Sequence, residues 1–462
     1  MDSFSDKFQY YLDLKGLKIA DVQRFSGLNL TTLYKMLDGS RAPTKLEVVE
    51  KIAESLCLNS EEREDLIESY YLTRLGPIGY YGRREVRKFY NNVNRRPVEE
   101  SVPFLPFKTI PLESGENMVL KGKQNVDVAL EYFIYKAAQD NPGITVNITE
   151  LFEDNFMLSV VSNVSRVFPQ TQFVHTLRID ETNSENGENQ GMYYNVQVLG
   201  RVLSFAARHK NYKVCYRYTD VETERTQMSH LSCLVLAGEY VIQYSPNHRY
   251  CVVERSRNIS DLFDKIAAED MGTVNRLIYR WGEDSPEVEN DLNRLFRYPV
   301  IGKSGYMYDS GYLTHPYRND PDPDGVRNFI LKLSENIPIT ALPKFQIDNF
   351  VNHDSSGSKE ERAERLETLL ALAKKKRLGI ATADEKRFPK HFFSAITLST
   401  LYIALPDDEG DITMLAMSEP TIVHAFYDFI DNLYHQEGFS NAETVRYLER
   451  KIQELQDQEA AV

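Results

Sequence analysis

KIADVQRFSGLNLTTLYKMLDGSRAPT, residues Lys18 to Thr44, decides how the first part of this chain folds. Gly27 stands where a helix must stop and reverse, because only glycine takes positive φ without steric cost. Asn29 follows as an N-cap, and Leu33, Met36 and Leu37 give the next helix one apolar face. Thr31, Thr32, Tyr34 and Lys35 are left on the opposite, solvent-facing side. Gly39 ends that helix, and Ser40 and Arg41 lie in the loop beyond it. The layout is two short helices joined by a tight turn, the second shaped to enter a DNA major groove.

The flanks extend this motif into a five-helix module over residues 1–75. Phe4, Phe8, Tyr11 and Leu12 recur at helical spacing, which predicts a first helix over 3–15. Thr44 with Glu47 reads as a capping box ahead of Leu46, Val49, Ile52, Ala53 and Leu56. Asn59 with Glu62 repeats the device before Leu66, Ile67, Tyr70 and Tyr71.

These residues resemble the lambda-repressor/Cro-like (xenobiotic-response-element) helix-turn-helix family. The resemblance is carried by Gly27, Leu28, Asn29, the helix Leu30 to Asp38, and the exit Gly39-Ser40-Arg41-Ala42-Pro43. Ile19 stands where the family often has a glutamine, and Gln23 where it has a small alanine. The resemblance implies a bacterial or phage-type transcriptional regulator that binds double-stranded DNA as a homodimer on a two-fold site. Asn29, Thr31, Thr32, Tyr34, Lys35, Ser40 and Arg41 are the residues it places at DNA.

The chain as a whole is acidic, with a formal net charge of −14, so it is not a general binder of polyanions. Residues 83–96 reverse that trend, with Arg83, Arg84, Arg87, Lys88, Arg95 and Arg96 against Glu85 alone. Tyr80, Tyr81, Phe89 and Tyr90 are interleaved with them. Such a segment either tracks phosphates beside the motif, through Arg83, Arg84 and Arg87 first, or is a solvated linker paired with acidic surface.

At 462 residues the chain has room for a body much larger than the head. Hydrophobic content of 42% is ample for a folded core there. No apolar run approaches the roughly 18 residues a bilayer span requires. The start, MDSFSDKFQ, lacks the basic and then apolar regions of a signal peptide. Cysteines at 57, 215, 233 and 251 form no Cys-x-x-Cys pair, so neither zinc nor a disulfide framework is expected. A soluble, cytoplasmic protein without membrane partners is the expectation.

Pro97, Pro103, Pro106 and Pro111 punctuate a linker over 76–125. Helical patterns near 126–137, 154–168 and 193–209 then alternate with β-like runs at 144–148, 172–177 and 212–218. That alternation predicts an α/β layer with a largely parallel sheet. The stretch Thr182 to Gly191 is wholly polar and reads as a surface loop.

Residues 232–266 resemble 394–430: each reads strand, tyrosine-containing strand, polar turn, third strand, helix. Tyr240 matches Tyr402, Ser256 matches Ser418 and Phe263 matches Phe426. The fold class is therefore multidomain: an all-α helix-turn-helix head followed by a larger α/β body with a mixed sheet and a candidate internal duplication. The first copy spans 126–270, a helical and loop-rich connection 271–390, and second-copy strands with C-terminal helices 391–462. Chance similarity between apolar strands is the alternative.

Two copies of this shape faintly resemble phospholipase D-like folds, whose chemistry needs paired His-x-Lys motifs. His230 is followed by Leu231 and Ser232, and His391 by Phe392 and Phe393, so both lysines are missing. Asp320, Asp322, Asp324 and Gly325 match the start of a calcium loop, but Leu331 occupies the twelfth position where glutamate belongs. His424, between apolar helix residues, reads as a buried histidine. No catalytic constellation, metal site or cofactor is expected. The body is expected to sense a small-molecule or peptide effector, or a protein partner. The competing reading is a protein-interaction component, a toxin partner or phage-defence factor, whose helix-turn-helix docks protein.

The amphipathic stretch 356–376, with Leu366, Leu369, Leu370 and Leu372, is expected to pack within the chain. The last stripe, Val445, Leu448, Ile452 and Leu455, fits either intrachain packing or a second subunit.

Overall fold

The computed structural model describes residues 3–93, 110–181, 190–227, 230–269, 274–280, 306–309, 331, 333–334, 337–352, 358–381, 392–397, 399–406 and 412–460. The linker prolines at 97, 103 and 106, most of the polar loop from Thr182, the aspartate loop at 320–325 and His391 lie outside these residues. The chain divides into two compact units, one ending at Arg84 and the other beginning at Glu85.

In the first unit, α1 (Phe4–Leu14) is capped by Ser3, whose side chain accepts from the Asp6 N–H while Asp6 closes the box. α2 (Ile19–Ser26) stops at Gly27, which has φ +68° in the left-handed region. α3 (Leu30–Leu37) starts from Asn29, and α4 (Leu46–Ser55) and α5 (Ser60–Asn92) complete the unit. Phe4, Phe8, Val22, Leu33, Val49, Ile52, Leu56 and Leu66 form its core. Full burial of each such side chain contributes about 1.5–3 kcal/mol.

Two local expectations need correction or extension. α4 begins at Leu46 with Lys45 as its N-cap and no side-chain cap bond. Glu47 thus falls one position too early to close a box with Thr44. The box at Asn59 and Glu62 does form, both bonds being 2.9 Å. α5 also runs past the expected boundary at 75, folding back at Gly76, where φ is +72° and ψ +161°. Tyr71 and Tyr80 stack across that corner at 5.7 Å, and Arg84 Nη1 reaches Glu68 Oε1 at 3.2 Å. The expected basic linker is therefore helical as far as Asn92.

In the second unit, β1 (Asn117–Lys121) precedes α6 (Lys123–Asp140). Then come β2 (Thr145–Leu151), α7 (Phe156–Val167), β3 (Gln172–Asp180), α8 (Gln190–Arg208), β4 (Tyr212–Thr219) and α9 (Val221–Thr226). A meander of β5 (Cys233–Ala237), β6 (Tyr240–Tyr244) and β7 (Tyr250–Arg255) leads into α10 (Arg257–Glu269) and the short β8 (Asn275–Arg276).

These strands order as β1-β7-β6-β5-β2-β3-β4-β8. Only β2, β3 and β4 run parallel. The expected largely parallel sheet is thus mixed. The parallel part is where helices cross over, and the meander, needing only tight turns, is antiparallel.

A second sheet uses β9 (Tyr279–Arg280), β10 (Tyr306–Asp309), β11 (Ile339–Pro343), β12 (Leu378–Ala381), β13 (Phe393–Ile396), β14 (Leu401–Pro406) and β15 (Ile412–Met417). Its order is β12-β11-β10-β13-β14-β15-β9. The region 271–390, expected to be a connection, thus supplies four of its strands. β10, β11 and β12 are parallel and every other pairing is antiparallel. With β8 set aside, the first sheet reads β4-β3-β2-β5-β6-β7-β1, with the same direction at each matching step.

α11 (Lys344–Asn352), α12 (Lys359–Lys374), α13 (Pro420–Glu437) and α14 (Asn441–Ala460) complete the unit. α14 packs on α12 and α11, burying Tyr447, Leu448 and Leu455, so the last apolar stripe docks within the chain. Ile422, Val423, Phe426, Phe429 and Ile430 of α13 are buried with Val86, Phe89, Tyr90 and Phe392. His424 lies on the other side of α13 and is exposed, which corrects the buried reading.

Candidate nucleic-acid interface

The end of α2 and the start of α3 are set by local bonds. The Gly27 N–H closes α2 onto the Gln23 carbonyl at 2.9 Å. Asn29 Oδ1 then accepts from the backbone N–H of Thr31 at 2.9 Å and of Thr32 at 3.3 Å. Those donors would otherwise be orphaned at a helix start.

With Leu33 and Met36 buried, Thr31, Tyr34, Lys35 and Asp38 fall at i, i+3, i+4 and i+7, and all four are exposed. Tyr34 keeps 52% of its surface open. Thr32, half-buried, sits at the margin of this stripe.

The exit loop is pinned to the helix it leaves. The Arg41 N–H donates to the Lys35 carbonyl at 2.9 Å, and Ser40 Oγ donates to the same carbonyl at 3.3 Å. The Ser40 N–H donates to Asp38 Oδ1 at 2.8 Å, and the Ser40 hydroxyl, then this backbone bond, hold the Asp38 carboxyl below its ordinary range. Asn29, Thr31, Tyr34, Lys35, Ser40 and Arg41 are thereby grouped on one exposed helix and its exit.

Arg83, Arg84 and Arg87 lie on α5, apart in sequence from this group. Arg83 is half-buried, and Arg84 is engaged by Glu68 and by the Tyr81 ring, 4.5 Å from its centroid. Arg87 belongs to the second unit, where it is exposed beside Lys88.

Charge adds two residues outside the expected set. Between residues 24 and 45 the cations are Arg24, Lys35, Arg41 and Lys45, and Asp38 is the single anion. All five are exposed. An acidic chain thus carries a local excess of three positive charges around α3, legible in the sequence once charge is counted over that window rather than over the chain. The positive end of the α3 dipole adds to it, with no acidic side chain in the first turn.

The body holds a second group of chemistry-bearing residues that its strand patterns concealed. On one face of the first sheet, Tyr244 Oη donates to Glu150 Oε2 at 2.7 Å, and Glu150 Oε1 lies 3.0 Å from His175 Nε2. His175 Nδ1 meets Tyr212 Oη at 2.7 Å. Burial, then the Glu150 charge, push both tyrosines well above their ordinary values, so they stay protonated. All four side chains are buried, which makes this row a core network rather than a place where substrate is met.

His230 precedes β5 and is exposed, and Phe393 is buried. All four cysteines are free thiols. Among the described residues no cluster of His, Cys, Asp and Glu is placed to hold a metal, and no helix is long and apolar enough to cross a membrane.

No protein-family model and no curated protein matches the chain. Among solved structures it is similar to phosphatidylserine synthase from Haemophilus influenzae, at 12% identity over 82% of this chain and 97% of that one, with a TM-score of 0.24. It is also similar to polyphosphate kinase from Porphyromonas gingivalis, at 11% identity over 73% of this chain and 56% of that one, with a TM-score of 0.22. Neither superposition is close enough to argue from.

Proposed function

We propose that this chain is a DNA-binding transcriptional regulator. Its head is a helix-turn-helix formed by α2 and α3, and α3 enters the major groove. One observation carries the reading: the exposed stripe Thr31, Tyr34, Lys35 is flanked by three further exposed cations, Arg24, Arg41 and Lys45, in a chain that is otherwise acidic. Phosphate contacts from Arg24, Arg41 and Lys45 would set register, and α3 would meet base edges. Two chains on a two-fold site would double these contacts.

In this reading the body is a duplication. The matching strand order and directions of the two sheets support it, as does the similarity of 232–266 to 394–430. The phospholipase D-like shape would be retained without its chemistry, since Ser232 and Phe393 stand where lysines are needed. The body would bind an effector or partner, and a state-dependent affinity for it would shift operator binding. Genome-wide recovery of bound DNA tests the head, because enrichment no greater than for a Lys35→Ala, Arg41→Ala chain would refute it. A phosphodiesterase activity lost in His230→Ala would refute the non-enzymatic body.

A protein-docking head is the second reading. It is favoured by two exposed aromatic rings in the motif, Phe25, 66% exposed, and Tyr34, 52% exposed. Binding insensitive to salt and directed to a protein would establish it in place of DNA.

A further inference from the structure

The side chains on α3 determine which bases the head can distinguish. Bidentate reading of guanine takes arginine or lysine, reading of adenine takes asparagine or glutamine, and the C5-methyl of thymine is met by apolar groups such as a threonine methyl or an aromatic ring. The exposed stripe is Thr31, Tyr34, Lys35 and Asp38, with no arginine, asparagine or glutamine in it, so Lys35 is its one side chain of the guanine-reading type. Asn29 is adjacent, but its carbonyl oxygen is committed to the N–H groups of Thr31 and Thr32. Gln23 is exposed on α2, the helix that crosses the sugar-phosphate backbone in this geometry.

The polarity of α3 selects which end goes in. Asp38 holds a carboxylate at the C-terminal end, where it opposes phosphates. The Arg41 backbone is tied to that same end through the Lys35 carbonyl. The N-terminal turn carries no acid, so Thr31 in it leads toward the base edges, and Tyr34 and Lys35 follow together one turn later.

Resting on the DNA-binding reading above, we propose that the head recognises thymine-bearing steps through their C5-methyl groups, met by the Thr31 methyl and the Tyr34 ring, and that Lys35 meets phosphate rather than guanine. Its target is A·T-rich where α3 docks. Lys35 and Arg41 contribute affinity shared by all sequences.

The test uses the full chain and a random-sequence duplex library. The recovered duplex is remade with deoxyuridine for thymine, which deletes only the methyl, and separately with 7-deazaguanine, which deletes the N7 acceptor. Each methyl removed from a contacted step weakens binding about fourfold, the worth of one buried methylene. The 7-deazaguanine duplex binds as the parent does. Thr31→Ser keeps the hydroxyl and loses the methyl, so it abolishes the thymine-uracil difference at one position while leaving the salt dependence unchanged.

A duplex that ignores deoxyuridine but weakens with 7-deazaguanine overturns this inference and leaves the DNA-binding reading standing. Retention of no duplex at low salt overturns both.

Discussion

Removing Lys35 and Arg41 together, as K35A/R41A, tests the electrostatic basis of the head directly. Four exposed cations lie on and around α3: Lys35 on the helix, and Arg24, Arg41 and Lys45 beside it in sequence. If each neutralises one phosphate, the logarithm of affinity falls against the logarithm of salt with a slope of about −3.6 per head. Between about 50 and 200 mM salt that is a loss of about 150-fold. The double variant leaves Arg24 and Lys45, so its slope becomes about −1.8 and the loss about 12-fold over the same range. Fluorescence anisotropy of a labelled duplex across a salt series reads both slopes. Arg84→Ala is the control, because its guanidinium is bonded to Glu68 at 3.2 Å. An unchanged slope in the double variant, or an equal reduction in Arg84→Ala, would refute the assignment of phosphate contacts to the surroundings of α3.

Gly27→Ala places a side chain at φ +68°, where nothing crowds the new Cβ, so its cost is the left-handed conformation alone, about 1–2 kcal/mol. Hydrogen exchange of the α2 and α3 amides in the full chain should lose protection to match, and Asn29→Ala should cost about 1 kcal/mol by the same readout through its lost cap. Tyr90→Phe removes a buried hydrogen bond to Ser394 Oγ at 2.8 Å, for a loss of about 1 kcal/mol in urea unfolding; a double-mutant cycle with Ser394→Ala should return a coupling of that size. Acid should loosen the packing of α14 on α11. At Asp348 burial opposes the charge, but Tyr447 Oη at 2.7 Å and Lys451 Nζ at 2.9 Å outweigh it and hold the carboxyl below its ordinary 3.8. That stability is complete above the ordinary value and lost as pH falls through the lowered one, so Asp348→Asn should flatten the acid limb of a stability–pH curve.

What was legible in the sequence is what neighbours in the chain decide. A left-handed residue, a cap and a box involve partners within about four positions, so Gly27, Asn29 and the Asn59–Glu62 pair could be read directly. Where a single step of register mattered, as at Thr44 and Glu47, the helix started one residue late and the box was lost. The apolar periodicity of Phe4, Phe8, Leu33, Val49 and Ile52 likewise marked the head core, because a helix has one period whatever it packs on.

The tertiary structure decided the rest. β9 to β12 are two to five residues long, too short for an alternating pattern to stand out, so the second sheet was visible only from its longer meander. Strand alternation marks two faces but names no partner. For that reason the approach of Glu150, His175, Tyr212 and Tyr244, drawn from four strands, had no signature in the chain. His424 was misread because its helix is apolar on both sides of it in sequence, and only packing shows which face is covered. Local bonds are written in adjacent residues, whereas strand order and facing are set by contacts between distant ones, which no single stretch of sequence contains.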